Sequence, residues 1–231
     1  MNDICIVSVG VTGRESYAIK AAKLKKDVEN LGYSNFIWID AYPPNSPSHH
    51  QINFAFKAHA IQYALSQGYK KILWLDSVAV PIKKMDKINS ILDTTGYFFV
   101  DEGFDVGSWC KDEALPYLNI TRENSFNIPQ VAGKHFGLNF NFKQSHDFFS
   151  QYFLYATVHG EKVFHGPTSN TNNAISNDNR VRGHRHDQIV ASVICHNMKF
   201  SISSQEMICW ANSENWTKNL IDKNSIELLV V

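Results

Sequence analysis

The sequence predicts an α/β domain built on a mostly parallel central sheet with helices on both faces. Three observations carry this. Short apolar runs alternate with helical repeats in β-α-β-α-β order over the first third of the chain, the runs are continuous in apolar character, and they end on small or acidic residues. Sheets of this kind bind ligands at the carboxyl ends of their strands, where Ser8 to Gly10, Asp40 and Asp76 fall.

Ile4 to Val9 reads as a strand buried on both faces, broken by Gly10 to Gly13. Tyr17, Ala21, Leu24, Val28 and Leu31 then recur at steps of four and three, a helical face closed by Gly32. Phe36 to Asp40 is a second strand, and Pro43, Pro44 and Pro47 keep the segment up to Gln51 irregular. Phe54, Ala58, Ile61 and Leu65 mark a second helix ended by Gly68, and Lys71 to Asp76 a third strand. Beyond it, Lys84 to Leu92 suggests a helix, Tyr97 to Val100 and His135 to Phe142 strands, and Ser145 to Val158 a helix. The stretch from Asp101 to Gln130 gives no single pattern. His165 to Gly183, rich in Asn, Ser and Thr, is expected to be a long loop, mobile or ordered by a ligand. Asp187 to Asn197 is helical, with Ile189, Val190, Val193 and Ile194 on one side, and the tail carrying Trp210 and Trp216 shows no pattern.

The chain of 231 residues suits a single domain, with residues 1–100 as a nucleotide-binding half and 101–231 as an acceptor and sugar-binding half. Basic and acidic residues number 22 each, so no global field draws the protein to nucleic acid or an anionic membrane. The cluster Lys20 to Lys26 is expected to be a solvated helix face. Cys5, Cys110, Cys195 and Cys209 show no metal or redox spacing and read as free thiols of a reducing compartment. With no signal-like N-terminus and no apolar stretch of spanning length, a cytoplasmic protein without a transmembrane segment is expected, and the sequons at Asn119 and Asn215 are taken as chance matches.

Chemistry concentrates in two segments. Lys71 to Leu75 is an apolar strand that delivers Asp76 to its end, fixing a carboxylate where a diphosphate and a divalent ion have room. The structural alternative is an Asp that caps the following turn. Gly183-His184-Arg185-His186-Asp187-Gln188 leads into the last apolar helix, where the helix dipole favours an ionised Asp187 able to bind sugar hydroxyls or take a proton. Gln188 offers an amide that donates and accepts, and the plainer role for Asp187 is an N-cap.

The Trp74-Leu75-Asp76-Ser77-Val78 run resembles the strand ending in the Asp-x-Asp metal motif of GT-A-fold glycosyltransferases, with Val78 in place of the second acid. Phe56 to Ile61 resembles the helix preceding that strand, and the Asp187-Gln188 element is similar to one in several GT-A families, the glycogenin-like retaining enzymes among them. The resemblance implies a GT-A-like, Rossmann-like fold and a hexosyl- or pentosyltransferase. Such an enzyme moves a sugar from a nucleoside-diphosphate donor, a UDP-sugar first among the expectations, to a carbohydrate or other hydroxyl acceptor in surface-glycan or glycoconjugate synthesis, with retention slightly favoured. It implies catalytic roles for Asp187, Gln188 and Asp76, and donor contacts from Ser8, Val9, Gly10, Asp40, Lys57, Ser77, Gly133 and His186, Lys57 lying near the phosphates. It further implies Mn²⁺ or Mg²⁺ on Asp76, completed by His184.

Other side chains allow two readings. Tyr17 is expected in the core rather than stacked on a base, and His49-His50 as a solvated pair. Phe104, Trp109, Tyr117 and Phe164 either stack on sugars or pack. Val78 keeps open a non-catalytic nucleotide-sugar or carbohydrate binder with a degenerate metal motif. A sugar-phosphate nucleotidyltransferase shares the topology but needs a glycine-rich, basic loop after the first strand that Val9 to Glu15 does not supply.

Overall fold

The computed structural model describes residues 3–11, 15–203, 208–210 and 227–230. Gly13, Arg14, Asn215 and Trp216, singled out in the sequence, lie outside the described residues, as do the side chains of Cys209 and Trp210.

The first third follows the expected alternation: β1 (Ile4–Val9), α1 (Glu15–Asn30), β2 (Ser34–Trp38), α2 (Phe56–Ser66) and β3 (Lys71–Leu75). β2 begins and ends two residues earlier than its apolar run suggests, which leaves Asp40 exposed in a bend. β4 (Ala79–Pro81), α3 (Asp86–Thr95), β5 (Tyr97–Phe98) and β6 (Asp101–Asp105) follow. The unreadable middle consists of short 3₁₀ turns at Gly107–Trp109 and Asp112–Ala114, α4 (Arg122–Ser125) and β7 (Pro129–Val131), which pairs antiparallel with β6. β8 (His135–Asn139) stops before Phe140, because the chain turns there with Phe142 N–H bonded to the Asn139 carbonyl. α5 (Lys143–Val158), α6 (Gly160–Val163) and α7 (Asp187–Asn197) complete the helical layer, and β9 (Ile208–Trp210) and β10 (Leu228–Val230) form a small sheet with β4. None of the described helices is long and apolar enough to cross a membrane.

The central sheet runs in the order β2-β1-β3-β8-β5. β1 pairs parallel with β2 and β3, whereas β8 lies antiparallel between β3 and β5, with Leu75 opposite His135. The two halves of the chain therefore share one sheet. Strand residues alternate between two cores, as pleating demands. Cys5, Val7, Ile72 and Trp74 join α2, α5 and α7 on one face, and Ile4, Ile6, Leu73 and Leu75 join α1 and α3 on the other. Burying a side chain of this size stabilises the fold by about 1.5–3 kcal/mol each. On α1 the buried positions are Ala21, Leu24 and Val28, and the lysines from Lys20 to Lys26 are exposed as expected.

α7 departs from a one-sided pattern. Ala191, Ser192 and Cys195 are buried along with the predicted apolar side, because β7 and α5 both cover this helix. The 165–183 segment is irregular apart from a 3₁₀ turn at Thr171–Asn173, but it is organised from within. The Asn170 side chain donates to the carbonyls of Ser176 and Val181 and accepts from the amides of Ile175 and Ser176. It is also tied to the preceding turns, with Asp112 N–H donating to the Ile175 carbonyl at 3.0 Å and Arg182 N–H to the Ser108 carbonyl at 2.8 Å. Cys5, Cys110 and Cys195 are buried and unpaired.

Candidate active site

β3 delivers Asp76 just beyond its last residue. The Asp76 amide donates to the Lys134 carbonyl at 2.7 Å, which fixes the backbone between β3 and the segment entering β8. The turn that follows is closed by the Asp76 carbonyl, which accepts from Ala79 N–H, and not by the side chain. The carboxylate instead accepts from the Trp74 indole N–H, with Oδ1 at 2.8 Å, and stays partly exposed.

Asp187 reaches the same place from α7. It is the first helical residue, and His186 occupies the cap position with φ 49° and ψ −119° and no side-chain capping bond. Positive φ at a non-glycine residue is costly and persists where the surroundings hold it. Here the His186 ring does so, with Nδ1 donating to the Phe164 carbonyl at 2.7 Å. The turned backbone aims Asp187 inward, to 3 % exposure, where a free carboxylate would be strongly disfavoured.

Lys57, on the first turn of α2, resolves that cost. Its ammonium lies 2.9 Å from Asp187 Oδ2 and 3.2 Å from Asp76 Oδ1, and donates to the Gly133 carbonyl at 2.7 Å. Three acceptors match its three protons. Burial pulls the Lys57 pKa down, but the two carboxylates outweigh burial and leave it raised. For Asp187 burial wins: the carboxyl is pushed up to about 6, with Lys57 pulling it down. Lys57 is thus spent inside the protein and holds the two acids together, rather than standing free for donor phosphates.

Around this triad the packing is close. A Cβ on Gly133 would come within 2.4 Å of Gln188 Cγ and 3.1 Å of Asp187 Oδ2. The Gln188 amide N–H donates to Glu102, which also accepts from Gln130 at 2.7 Å. Ser192, one turn along α7, accepts from Val131 N–H at 2.9 Å and donates to the Gln188 carbonyl at 2.5 Å, pinning the helix to β7.

Lys57, Asp76, Gly133, Asp187 and Gln188 line a cavity of about 850 Å³. Of the sequence-predicted residues, Val9, Lys57, Asp76, Ser77, Gly133, His184, His186, Asp187 and Gln188 border it. Ser8, Gly10 and Asp40 do not. Ser8 is fully buried within the sheet, and Gly10 serves close packing on α1, since a Cβ there would lie 2.5 Å from that of Ala21. Tyr17 lies on the cavity wall rather than in the core, and His49 and His50 line the cavity rather than forming a purely solvated pair. His49 is half-buried against Phe54, with ring centres 4.7 Å apart. Phe164 packs in the core, whereas Trp109 borders the cavity and carries the Arg185 guanidinium 4.1 Å above its ring. Glu102, Gly133's tight fit and Arg185 were the features sequence reasoning missed or placed only weakly. For Arg185 the signal was its position inside the motif next to Asp187.

The described residues do not form a donor set for Mn²⁺ or Mg²⁺. Asp76 has one oxygen taken by Trp74 and Lys57, and Val78 stands where a second acid would be needed. His184 has Nε2 bonded to the Val163 carbonyl at 2.9 Å and Nδ1 facing Lys111 N–H at 3.4 Å, so it fastens loops and keeps no lone pair for a metal. Its pKa falls to about 3, chiefly through burial. Among the described residues, no group of three or more His, Cys, Asp or Glu side chains is placed to hold an ion.

No protein-family model and no curated protein sequence matches the chain. Solved structures do match in fold, two glycosyltransferases among them. One is a glycosyltransferase involved in the glycosylation of the major capsid of PBCV-1, 15% identical, with a TM-score of 0.52 over 99% of this chain and 92% of that one. The other is the bifunctional glycosyltransferase WbbM in its apo form, 11% identical, with a TM-score of 0.53 over 98% of this chain. The chain spans 45% of the WbbM chain, less than half its length. The mixed α/β architecture, with its mostly parallel sheet flanked by helices, is therefore the GT-A-like fold of these glycosyltransferases.

Proposed function

We propose that the protein is a glycosyltransferase that moves a sugar from a nucleoside diphosphate to a hydroxyl acceptor. The single observation that carries this is the convergence of Asp76, from the end of β3, and Asp187, from the start of α7, on one cavity through a shared lysine. In the reaction the bond from the anomeric carbon to the phosphate oxygen breaks and a bond from that carbon to the acceptor oxygen forms. The acceptor loses its proton, and the diphosphate leaves with the bonding pair. Asp76 keeps Oδ2 for a hydroxyl of donor or acceptor, and Asp187, with Gln188 beside it, faces the anomeric carbon. Electrostatic stabilisation of the departing diphosphate is the largest demand on the site.

The likeness of the Asp187-Gln188 pair to retaining enzymes favours retention of configuration, and a UDP-sugar is the first donor to try. A neighbouring cavity of about 530 Å³ shares His165 with the first and is lined by Glu113, Glu161, Asn173 and Asn177, groups suited to sugar hydroxyls; we assign the acceptor to it. Buried, unpaired Cys5, Cys110 and Cys195 support a cytoplasmic setting.

The test is transfer from a panel of nucleotide sugars by the parent, Asp187→Asn and Asp76→Ala, with product stereochemistry read by NMR. Loss of transfer in both variants supports the reading, and undiminished transfer in both overturns it. Val78 and the internally satisfied Lys57 favour one second reading, a nucleotide-sugar binder without turnover. Such a protein would bind donor yet show no slow donor hydrolysis under any condition.

A further inference from the structure

We propose that this site takes the diphosphate of its nucleotide sugar without a divalent cation, the counter-charge coming from Arg185 on its Trp109 shelf. The proposal rests on the transferase reading above and concerns how that same site holds its donor.

Two sets of observations lead to it. The first is that a cation has nowhere suitable to sit. A hard divalent ion needs several oxygen ligands, usually more than one carboxylate. Here Val78 removes one acid from the strand end, and the Asp187 carboxylate is already paired with Lys57. A dication on the remaining oxygen of Asp76 would sit beside the Lys57 ammonium, 3.2 Å from Oδ1 of that carboxylate, and be repelled by it. The lysine therefore occupies, electrostatically, the place a metal would need.

The second is that a cation fitted for phosphate is already present. Arg185 borders the cavity, and no described carboxylate lies within ion-pair distance of it. Its guanidinium carbon stands 4.1 Å from the Trp109 ring centre and 5.8 Å from that of Phe104. Its backbone N–H is bonded to the Trp109 carbonyl at 3.0 Å. Stacking of this kind orients the planar guanidinium and leaves its N–H edge open, the geometry that binds phosphate with two parallel hydrogen bonds. The arginine ion pairs among the described residues are made by Arg122 and Arg180, which do not border this cavity.

His49, His50 and His165 line the same cavity. His49 is held below its usual pKa by burial first, then by the like charges of His50, Lys57 and His165. Held neutral in this way, His49 offers the diphosphate a ring N–H as a hydrogen-bond donor rather than a charge.

Isothermal titration of the full chain with UDP, GDP and dTDP, in EDTA and in Mn²⁺, tests the proposal. At least one nucleotide is expected to bind with the same affinity, within about twofold, in both buffers. Arg185→Gln is expected to weaken that binding at least tenfold in EDTA, with the melting temperature of the unliganded protein unchanged. Binding that appears only with Mn²⁺ overturns the proposal and leaves the transferase reading standing. No binding in either buffer overturns both. Unaltered binding by Arg185→Gln overturns the assignment of the diphosphate to Arg185, and the comparison of buffers on the parent protein does not depend on that variant folding.

Discussion

Lys57 and Asp187 form a buried ion pair, with 2.9 Å between Nζ and Oδ2, that ties the first turn of α2 to the first turn of α7. Neither helix touches its partner's charge by sequence proximity, and both charges are almost fully removed from solvent. The pair consequently matters to folding as well as to chemistry.

Lys57→Met leaves Asp187 buried without its cation and frees the Gly133 carbonyl of its donor. Breaking one side of a buried pair costs about 3–5 kcal/mol. Urea unfolding is expected to show a loss in that range, and a loss under about 1 kcal/mol would mean the pair behaves as an exposed one.

The pH dependence follows from Asp187, whose carboxyl burial pushes up to about 6. The charged form fills as pH rises past that value, so transfer is expected to climb through about pH 6 and to lose that limb in Asp187→Asn. The stability effect has the opposite sense. A carboxyl raised on folding contributes stability that is complete below its unfolded value of 3.8 and is lost as pH approaches 6. The melting temperature of Asp187→Asn, relative to the parent, should therefore rise from about pH 4 to about pH 6 and then level off. A flat difference across that window contradicts the assignment.

Gly133→Ala places a methyl within 2.4 Å of Gln188 Cγ. Because the obstacle is the near end of the side chain, Gln188 must leave its bond to Glu102, and we expect transfer to fall at least tenfold with a stability loss of about 1–3 kcal/mol. Parallel assays of rate and melting temperature separate the two. An active, equally stable variant would show that the glycine is not required.

Ser192→Ala deprives buried Val131 N–H of its acceptor. An unsatisfied buried donor costs about 1–3 kcal/mol, and hydrogen exchange at Val131 is expected to speed up along with that loss. Unchanged protection there would disprove the clamp between α7 and β7.

The parts legible in the sequence were those written in periodicity. α1, α2 and β3 announce themselves through residues such as Ala21, Leu24 and Val28, whose burial follows directly from helical spacing. The 101–130 stretch did not, because its turns are held by side-chain bonds that no period records: Arg122 donates to the carbonyls of Gly107 and Cys110. In the site, Asp76 and Asp187 stood out because each ends or begins a regular element. The use made of Lys57 was hidden, since it depends on two acids arriving from distant segments. Arg185 was hidden for a similar reason: what marks it is the Trp109 ring beneath it, supplied by a turn that the sequence leaves unassigned.

The way β8 runs antiparallel to β3 has a practical consequence for handling the protein. Gly133 and Lys134, which enter β8, meet the carboxyl end of β3, so all the chemistry gathers at one rim of the sheet. The connection from α2 into β3 lies at the other rim, where Gln67 and Gly68 are exposed. That turn is the natural place to splice in a fluorescent reporter or a surface tether, leaving the cavity mouth unobstructed for substrates.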